Sequence, residues 1–143
     1  MTGAGMERTL VLAKPDAVGR GLVGEIIRRF ENRTLRIKAL KIVQPSNELA
    51  ERHYEVHRGK PFFEAVVTFM ASGPVVAMVL EGENAVAVAR KMIGALNPLE
   101  TEPGTIRGDY TLSTKENLVH AADSADSAEK EIAIWFQPEE ILS

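Results

Sequence analysis

The apolar positions of this chain change period along its length, and each change marks an element. Arg8 to Ala13 is a short, mostly apolar run closed by Lys14-Pro15-Asp16, which predicts a buried strand. Val23, Ile26, Ile27 and Phe30 recur at helical spacing, so Leu22–Asn32 reads as a helix with one buried face. Leu35, Ile37, Ala39 and, past Leu40, Ile42 suit a second strand, ended by Pro45. Ser46 can cap a helix to about Val56, and Pro61 can open another over Phe62–Ala71. Pro74–Leu80 is apolar without a helical stripe, the pattern of a central strand. Asn84 is the expected cap of a helix to Ile93, with Val86, Ala89 and Ile93 inward. Asn117–His120 is short and strand-like, and Asp123 or Ser124 can start a last helix to about Phe136. Residues 94–116 hold Pro98, Pro103, Gly104 and Gly108 and show no sustained period. A loop of that length in a compact domain is usually functional or disordered.

This order is a split βαβ pattern and predicts an α+β fold. Its four-stranded antiparallel sheet is expected to be backed by helices on one face. No repeat or linker interrupts it, so residues 7–143 read as one domain behind a flexible leader, residues 1–6.

Composition narrows the chemistry. At 143 residues the chain can bury a core, and 45% hydrophobic with 26% charged residues is ordinary for a globular protein. The net charge of −3 offers no global field for nucleic acid, so any phosphate site must be a local basic cluster. The absence of cysteine removes disulfides, thiolate chemistry and cysteine-based zinc sites. His53, His57 and His120 look too few and too scattered for an all-histidine metal site. No secretory signal and no apolar run approaching the ~20 residues of a membrane span are seen, so a cytoplasmic setting is expected.

Gly19-Arg20-Gly21-Leu22-Val23-Gly24 spells G-x-G-x-x-G before a predicted helix, but a dinucleotide fold needs a ribose-binding acid ~20 residues on. Positions 39 to 44 are Ala, Leu, Lys, Ile, Val and Gln, so the motif reads as a turn where glycine suits the backbone. His120 is more telling. It ends a short strand, and small residues and a helix start follow it, which suits a nucleophile attacking phosphate. Glu131 shares a helical stripe with Ala128, Ile132 and Trp135, where an acid is costly without a partner. Facing His120, it could orient the ring and set its tautomer; on the rim it would pair only with Lys130 or solvent. Lys14, Arg90 and Arg107 each fall by a strand end or loop and can supply a phosphate clamp, although singly each reads as a surface charge.

Several segments together carry a resemblance. They are Lys14-Pro15-Asp16, His53-Tyr54, Lys60-Pro61-Phe62-Phe63, Ser72-Gly73-Pro74-Val75-Val76-Ala77, Glu81-Gly82, Asn97-Pro98, Pro103-Gly104-Thr105-Ile106-Arg107-Gly108-Asp109 and Asn117-Leu118-Val119-His120. In this register, from about Glu7 to Glu140, the chain resembles the nucleoside diphosphate kinases. The resemblance implies a ferredoxin-like fold and Mg²⁺-dependent, ping-pong phosphoryl transfer between nucleoside di- and triphosphates. It implies that His120 is the phosphorylated histidine and Glu131 the acid beside it. Lys14, Arg90 and Arg107 match the phosphate-binding basic residues, with Tyr54 and His57 close to the phosphates. Phe62 matches the ring that stacks on the base, beside Val66 and Thr114, and Asn117 matches the residue that holds the sugar hydroxyl. Residues 96–116 match a loop at subunit contacts, so a homo-oligomer, hexamer or tetramer, is implied. No partner membrane or sequence-specific nucleic acid is expected, and no protein cage for the metal.

Two positions depart from the family pattern. Leu96 stands where the family has a phosphate-donating Thr, and Ala122 where it has a Ser bonded to the acid. A hydrogen bond to a charged group contributes about 1.5–3 kcal/mol, so both losses could slow transfer by about two to three decades. Stability should move little, because solvent is expected to replace both missing donors. A weakly active, nucleotide-binding scaffold of the same family is the alternative reading.

Overall fold

The computed structural model describes residues 6–143. The leader's first residues, 1–5, lie outside them, and Met6 already belongs to the first strand, β1 (Met6–Ala13). The other strands are β2 (Arg36–Val43), β3 (Val75–Glu83) and β4 (Val119–Ala121). They form one four-stranded sheet in the order β2-β3-β1-β4, every pair antiparallel. Among the described residues, six α-helices connect them and a seventh follows β4: α1 (Pro15–Gly19), α2 (Val23–Asn32), α3 (Asn47–His53), α4 (Phe63–Met70), α5 (Ala85–Ile93), α6 (Ile106–Tyr110) and α7 (Ala125–Trp135).

Helices cover both faces of the sheet, where the sequence pattern suggested one. The central strands show why. Leu10–Ala13 of β1 and Val75–Leu80 of β3 are buried without a break, and a strand that hides every side chain must be covered twice. Val11, Ala13, Val76, Met78 and Leu80 pack with Ile26 and Phe30 of α2 and Ala89 and Ile93 of α5. Leu10, Leu12, Val75, Ala77 and Val79 pack on the opposite face with Ala50, Val67 and Trp135 from α3, α4 and α7.

Caps explain several boundaries. Ser46 accepts from the Leu49 N–H, and Ser124 from the Ser127 N–H, as the sequence predicts for these helix starts. Asn84 behaves differently. Its backbone is left-handed, with φ 53°, and its side chain caps nothing. The α5 start is held by Glu7 instead, whose Oε1 accepts from the Val86 N–H at 3.1 Å. The glycines of G-x-G-x-x-G lie on α1, on α2 and in the turn between them, where Gly21 has φ 72°. The aperiodic stretch 94–116 contains α6. Its order comes from specific bonds: Thr105 caps the Gly108 N–H, Asp109 accepts from the Gly104 N–H at 2.9 Å and from Arg29 of α2 at 2.7 Å. A Cβ at Gly108 would run into the Glu102 carbonyl, so this turn requires glycine.

Glu7→Ala should lower the unfolding free energy by about 1 kcal/mol, the usual effect of losing a cap. Glu7→Gln, which keeps an acceptor, should lose less. Urea denaturation of the two variants and the parent is the check; equal midpoints in all three would refute the assignment.

Candidate active site

Pairing of β4 with β1 builds the site. His120 lies opposite Leu12, between Val119 and Ala121. Val119 and Ala121 are buried in the α2–α5 core, so strand alternation turns His120 to the other face, toward α3 and α7. There its Nε2 lies 2.7 Å from Oε1 of Glu131. A cavity of about 1070 Å³ opens beside this pair. Its wall includes His120, Glu131, Lys14, Tyr54 and His57, and also Phe62, Arg90, Arg107, Thr114 and Asn117. These ten residues, proposed for the site from the sequence, are therefore gathered at one place, although they span more than a hundred positions.

A carboxylate can only accept, so the Glu131 contact puts the ring proton of a neutral His120 on Nε2. Nδ1 then holds the lone pair, and it makes no hydrogen bond among the described residues. Burial and, after it, the charges of Lys14, Arg90 and Arg107 push His120 down to about 3, so the ring is neutral at physiological pH. Burial raises Glu131 to about 7, with Asp123 adding to the rise and His53 and Arg90 opposing it.

The basic residues are held in different ways. Lys14, at the end of β1, donates to Asn117 Oδ1 at 2.9 Å. Burial and the neighbouring Arg107 lower it to about 8, against the pull of Asp16. Arg107 donates to the carbonyls of Asn117 (3.1 Å), Gly94 (2.8 Å) and Val119 (2.8 Å), so much of its fork braces the cavity wall. Burial and Arg90 lower it to about 10. Arg90 is exposed and gives one bond, to the Ala121 carbonyl at 3.1 Å, which leaves most of its donors for a ligand. Burial, then Glu131, raises Tyr54, whose phenol keeps its proton.

At the outer end, Phe62 is 45% exposed, a large apolar ring left open to the cavity. His57 lies 5.2 Å from it, centroid to centroid, and Lys60 Nζ 5.8 Å from its centroid. Val66 lines the same end. Asn117 is buried; its amide donates to the Thr114 carbonyl at 2.9 Å while its oxygen accepts from Lys14.

His53 received no role from the sequence and proves central. It is buried, its Nδ1 accepts from Trp135 Nε1 at 3.0 Å, and its ring stands edge-on to His120 with centroids 4.5 Å apart. Burial and His120 push it down to about 3. His53, His120 and Glu131 offer ligand atoms within 4.8 Å of one another, so the histidines are less scattered than their spacing suggests. The His53-Tyr54 pair in the resemblance was the available signal. Asp123, exposed at the cavity wall and acting on both His120 and Glu131, was also missed.

Leu96 lines the cavity and is half exposed, so water can reach its surroundings. Ala122 is fully buried against Val86 and Ala128. Water cannot occupy that position itself, while Glu131 lines the cavity and stays within its reach.

The nucleoside diphosphate kinase family model matches residues 7–141. A nucleoside diphosphate kinase of Carboxydothermus hydrogenoformans is 56% identical over 138 residues, 96% of this chain and 93% of the relative. One from Thermus thermophilus is 58% identical over 137 residues, 96% of this chain and 100% of the relative. Among solved structures, the Aquifex aeolicus nucleoside diphosphate kinase superposes with a TM-score of 0.93 at 44% identity, covering 96% of this chain and 99% of that one. The halophilic nucleoside diphosphate kinase of Halobacterium salinarum in complex with CDP gives 0.92 at 44% identity, with 96% and 91% covered. With this ferredoxin-like fold and these relatives, the chain belongs to the nucleoside diphosphate kinase family, and its activity is phosphoryl transfer between nucleotides.

Proposed function

We propose that His120 carries the phosphoryl group in a ping-pong exchange, nucleoside triphosphate giving and nucleoside diphosphate receiving. The observation that carries this reading is the His120–Glu131 bond at 2.7 Å, which leaves Nδ1 as the free nitrogen beside three cationic side chains. The Nδ1 lone pair attacks the terminal phosphorus, and the bond from phosphorus to the bridging oxygen breaks. The diphosphate leaves with that electron pair, and the ring becomes positive as it is phosphorylated. Glu131 stabilises that charge through the Nε2 proton, which stays where it is. A second diphosphate attacks the phosphohistidine and reverses the step.

Lys14, Arg90 and Arg107 stabilise charge on the transferring group, with Tyr54 and His57 beside the phosphates. Phe62 stacks on the base, Thr114 adjoins it, and Asn117 meets the sugar hydroxyl. A base held by its flat face is not read at its hydrogen-bonding edge, which supports broad base tolerance. Magnesium fits as a passenger of the nucleotide phosphates. The one group of three His, Asp or Glu side chains among the described residues contains two nitrogen donors, a poor match for a hard cation. When bound, the metal neutralises phosphate charge, and the cavity's own cations do the rest. The family resemblance supports a homo-oligomer, hexamer or tetramer, in the cytoplasm. Among the described residues, no helix is long and apolar enough to cross a membrane.

Incubation with γ-labelled ATP, removal of free nucleotide and a chase with a different nucleoside diphosphate is the direct test. Label should appear on the protein, resist alkali, yield to acid and leave as the new triphosphate. Label on Ser or Thr, or undiminished label in His120→Ala, would remove the mechanism.

A proton that enters the Oε1–Nε2 contact of the His120–Glu131 pair ends at Nδ1 in either of two arrangements. The ring becomes an imidazolium, or a neutral ring whose Nε2 accepts from protonated Glu131. Both lose the lone pair, so phosphorylation should fall as pH drops past the pair's value, near the about 7 to which burial raises Glu131. Glu131→Gln cannot take that proton, and Lys14, Arg90 and Arg107 hold the remaining ring low. Its acid limb should therefore move to lower pH, with a maximal rate about one to two decades down. Single-turnover rates from pH 5 to 8 decide; an unmoved limb sinks the pairing.

The weakly active reading rests on Leu96 and Ala122. Ala122→Ser should raise the phosphorylation rate about 5- to 100-fold with little change in KM, if the hydroxyl supplies Glu131 with its missing donor. A rate within about twofold of the parent would mean that this donor does not limit the enzyme.

A further inference from the structure

Between the clamp and His120 the backbone does something unusual. Leu118 is fully buried and has φ 72°, a region that branched side chains rarely adopt. The Val119 N–H donates to the Asn117 carbonyl at 2.8 Å, an i to i+2 bond. With that positive φ, residues 117–119 form the rare, strained kind of γ-turn. Such strain persists only where the surroundings enforce it. Here the enforcing groups can be named. Lys14 N–H donates to the Leu118 carbonyl at 2.8 Å, and Arg107 holds the carbonyls of Asn117 and Val119. The Leu118 N–H donates to Asp16 Oδ2 at 2.9 Å.

Asp16 is the one enforcing group with no role in the exchange described above. Its other oxygen, Oδ1, is buried and has no hydrogen-bond partner among the described residues. A neutral acceptor would serve the turn equally well, and a buried unpaired carboxylate oxygen is costly. The charge therefore needs a separate explanation. Two buried cations, Lys14 and Arg107, both feel Asp16 as the acid favouring their charged forms.

We propose that Asp16 is a positioning residue for phosphoryl transfer. Its carboxylate holds the γ-turn that aims Asn117 and His120 into the cavity, and it sets a negative charge beside the buried ammonium of Lys14 and guanidinium of Arg107. The inference rests on the phosphohistidine reading. Lys14 is the group that reports it. Around Lys14 stand Asp16 from α1, Arg107 from α6, His120 from β4 and His53 from α3, with neutral Asn117 as its hydrogen-bond partner. Of these, Asp16 alone is negative. Removing it must lower the pH at which Lys14 loses its proton.

The test compares full-length parent, Asp16→Asn, Asp16→Ala and Asp16→Glu. kcat/KM is measured from pH 6 to 10, with kcat and KM separated, and a single-turnover phosphorylation of each. Asp16→Asn keeps an acceptor for Leu118 and loses the charge. Its alkaline limb should move down by about half a pH unit or more, with a smaller drop in neutral-pH kcat than Asp16→Ala shows. Asp16→Ala should show the same movement and lose a further tenfold or so in kcat, because the turn is released. Asp16→Glu, which keeps the charge on a longer arm, should leave the limb in place while kcat falls. A destabilised but otherwise inert fold would not move the limb. A limb that coincides in parent and Asp16→Asn overturns the charge role, and equal kcat in Asp16→Asn and Asp16→Ala overturns the turn role. If Asp16→Ala does not fold, the other two variants still decide. If the parent itself takes no phosphate onto His120, the phosphohistidine reading fails instead, and the two failures are told apart.

Discussion

The structure depends on placing cations and a neutral histidine together where water is scarce. Charged side chains pay a desolvation cost in such a place unless hydrogen bonds and an opposite charge offset it. Lys14 and Arg107 are both buried, and what offsets their burial is the segment Asn117–Val119, whose Asn117 side-chain oxygen accepts from Lys14 and whose carbonyls accept from Arg107, with Asp16 behind it. The same burial and the same cations keep His120 from taking a proton. One set of residues thus puts cations at the cavity wall and keeps the Nδ1 lone pair of His120 available, as the proposed exchange requires. Glu131 is set a little apart, on α7, where burial raises its pKa without removing its contact with Nε2.

Sheet order decides whether these groups can meet. β1 lies between β3 and β4, so its last residue leads directly to Lys14 while its edge receives His120. Because β1 and β3 are covered on both faces, the face bearing His120 is roofed by α3 and α7, which bring His53 and Glu131. A sheet covered on one face alone would have left His120 either in a core or in open solvent. The second layer is therefore part of the site as well as part of the core.

The sequence showed much of this because period and cap chemistry are local. The unbroken apolar runs of β1 and β3, the stripe of α2 and the capping serines at 46 and 124 each act over a few residues, and each appeared within a few positions of its place. The unbroken runs also held the signal for a two-faced sheet, which the one-face reading passed over. What stayed hidden depends on partners far along the chain. Asn84 has the composition of a cap, yet Glu7, 79 positions away from Val86, does the capping. The stretch holding α6 has no stripe because side chains from α2 and its own turns order it. His53 could not be read as a site residue without knowing that α3 packs beside β4. The burial of Ala122 was equally invisible, since it requires Val86 and Ala128 to close around it.

Leu96 and Ala122 therefore differ in kind, although both replace a polar family residue by an apolar one. Leu96 is at an open wall, where water and the spare donors of Arg90 can reach a phosphate. On the proposed reading, the change removes one of several donors to the phosphates. Ala122 is sealed between Val86 and Ala128, so no water can take the place of its methyl. What it offers instead is apolar packing between the start of α5 and the first half of α7, the helix that carries Glu131. A packed methyl holds α7 in place about as well as a small hydroxyl would, but it cannot orient the carboxylate. Glu131 then relies on His120 for its orientation as much as His120 relies on Glu131. That mutual dependence is tolerable because Trp135, one turn further along α7, fixes His53 through its indole N–H, and His53 in turn walls the ring of His120. The ring is steered from behind by a neutral histidine as well as from Nε2, which is how the site can keep its geometry after losing the hydroxyl.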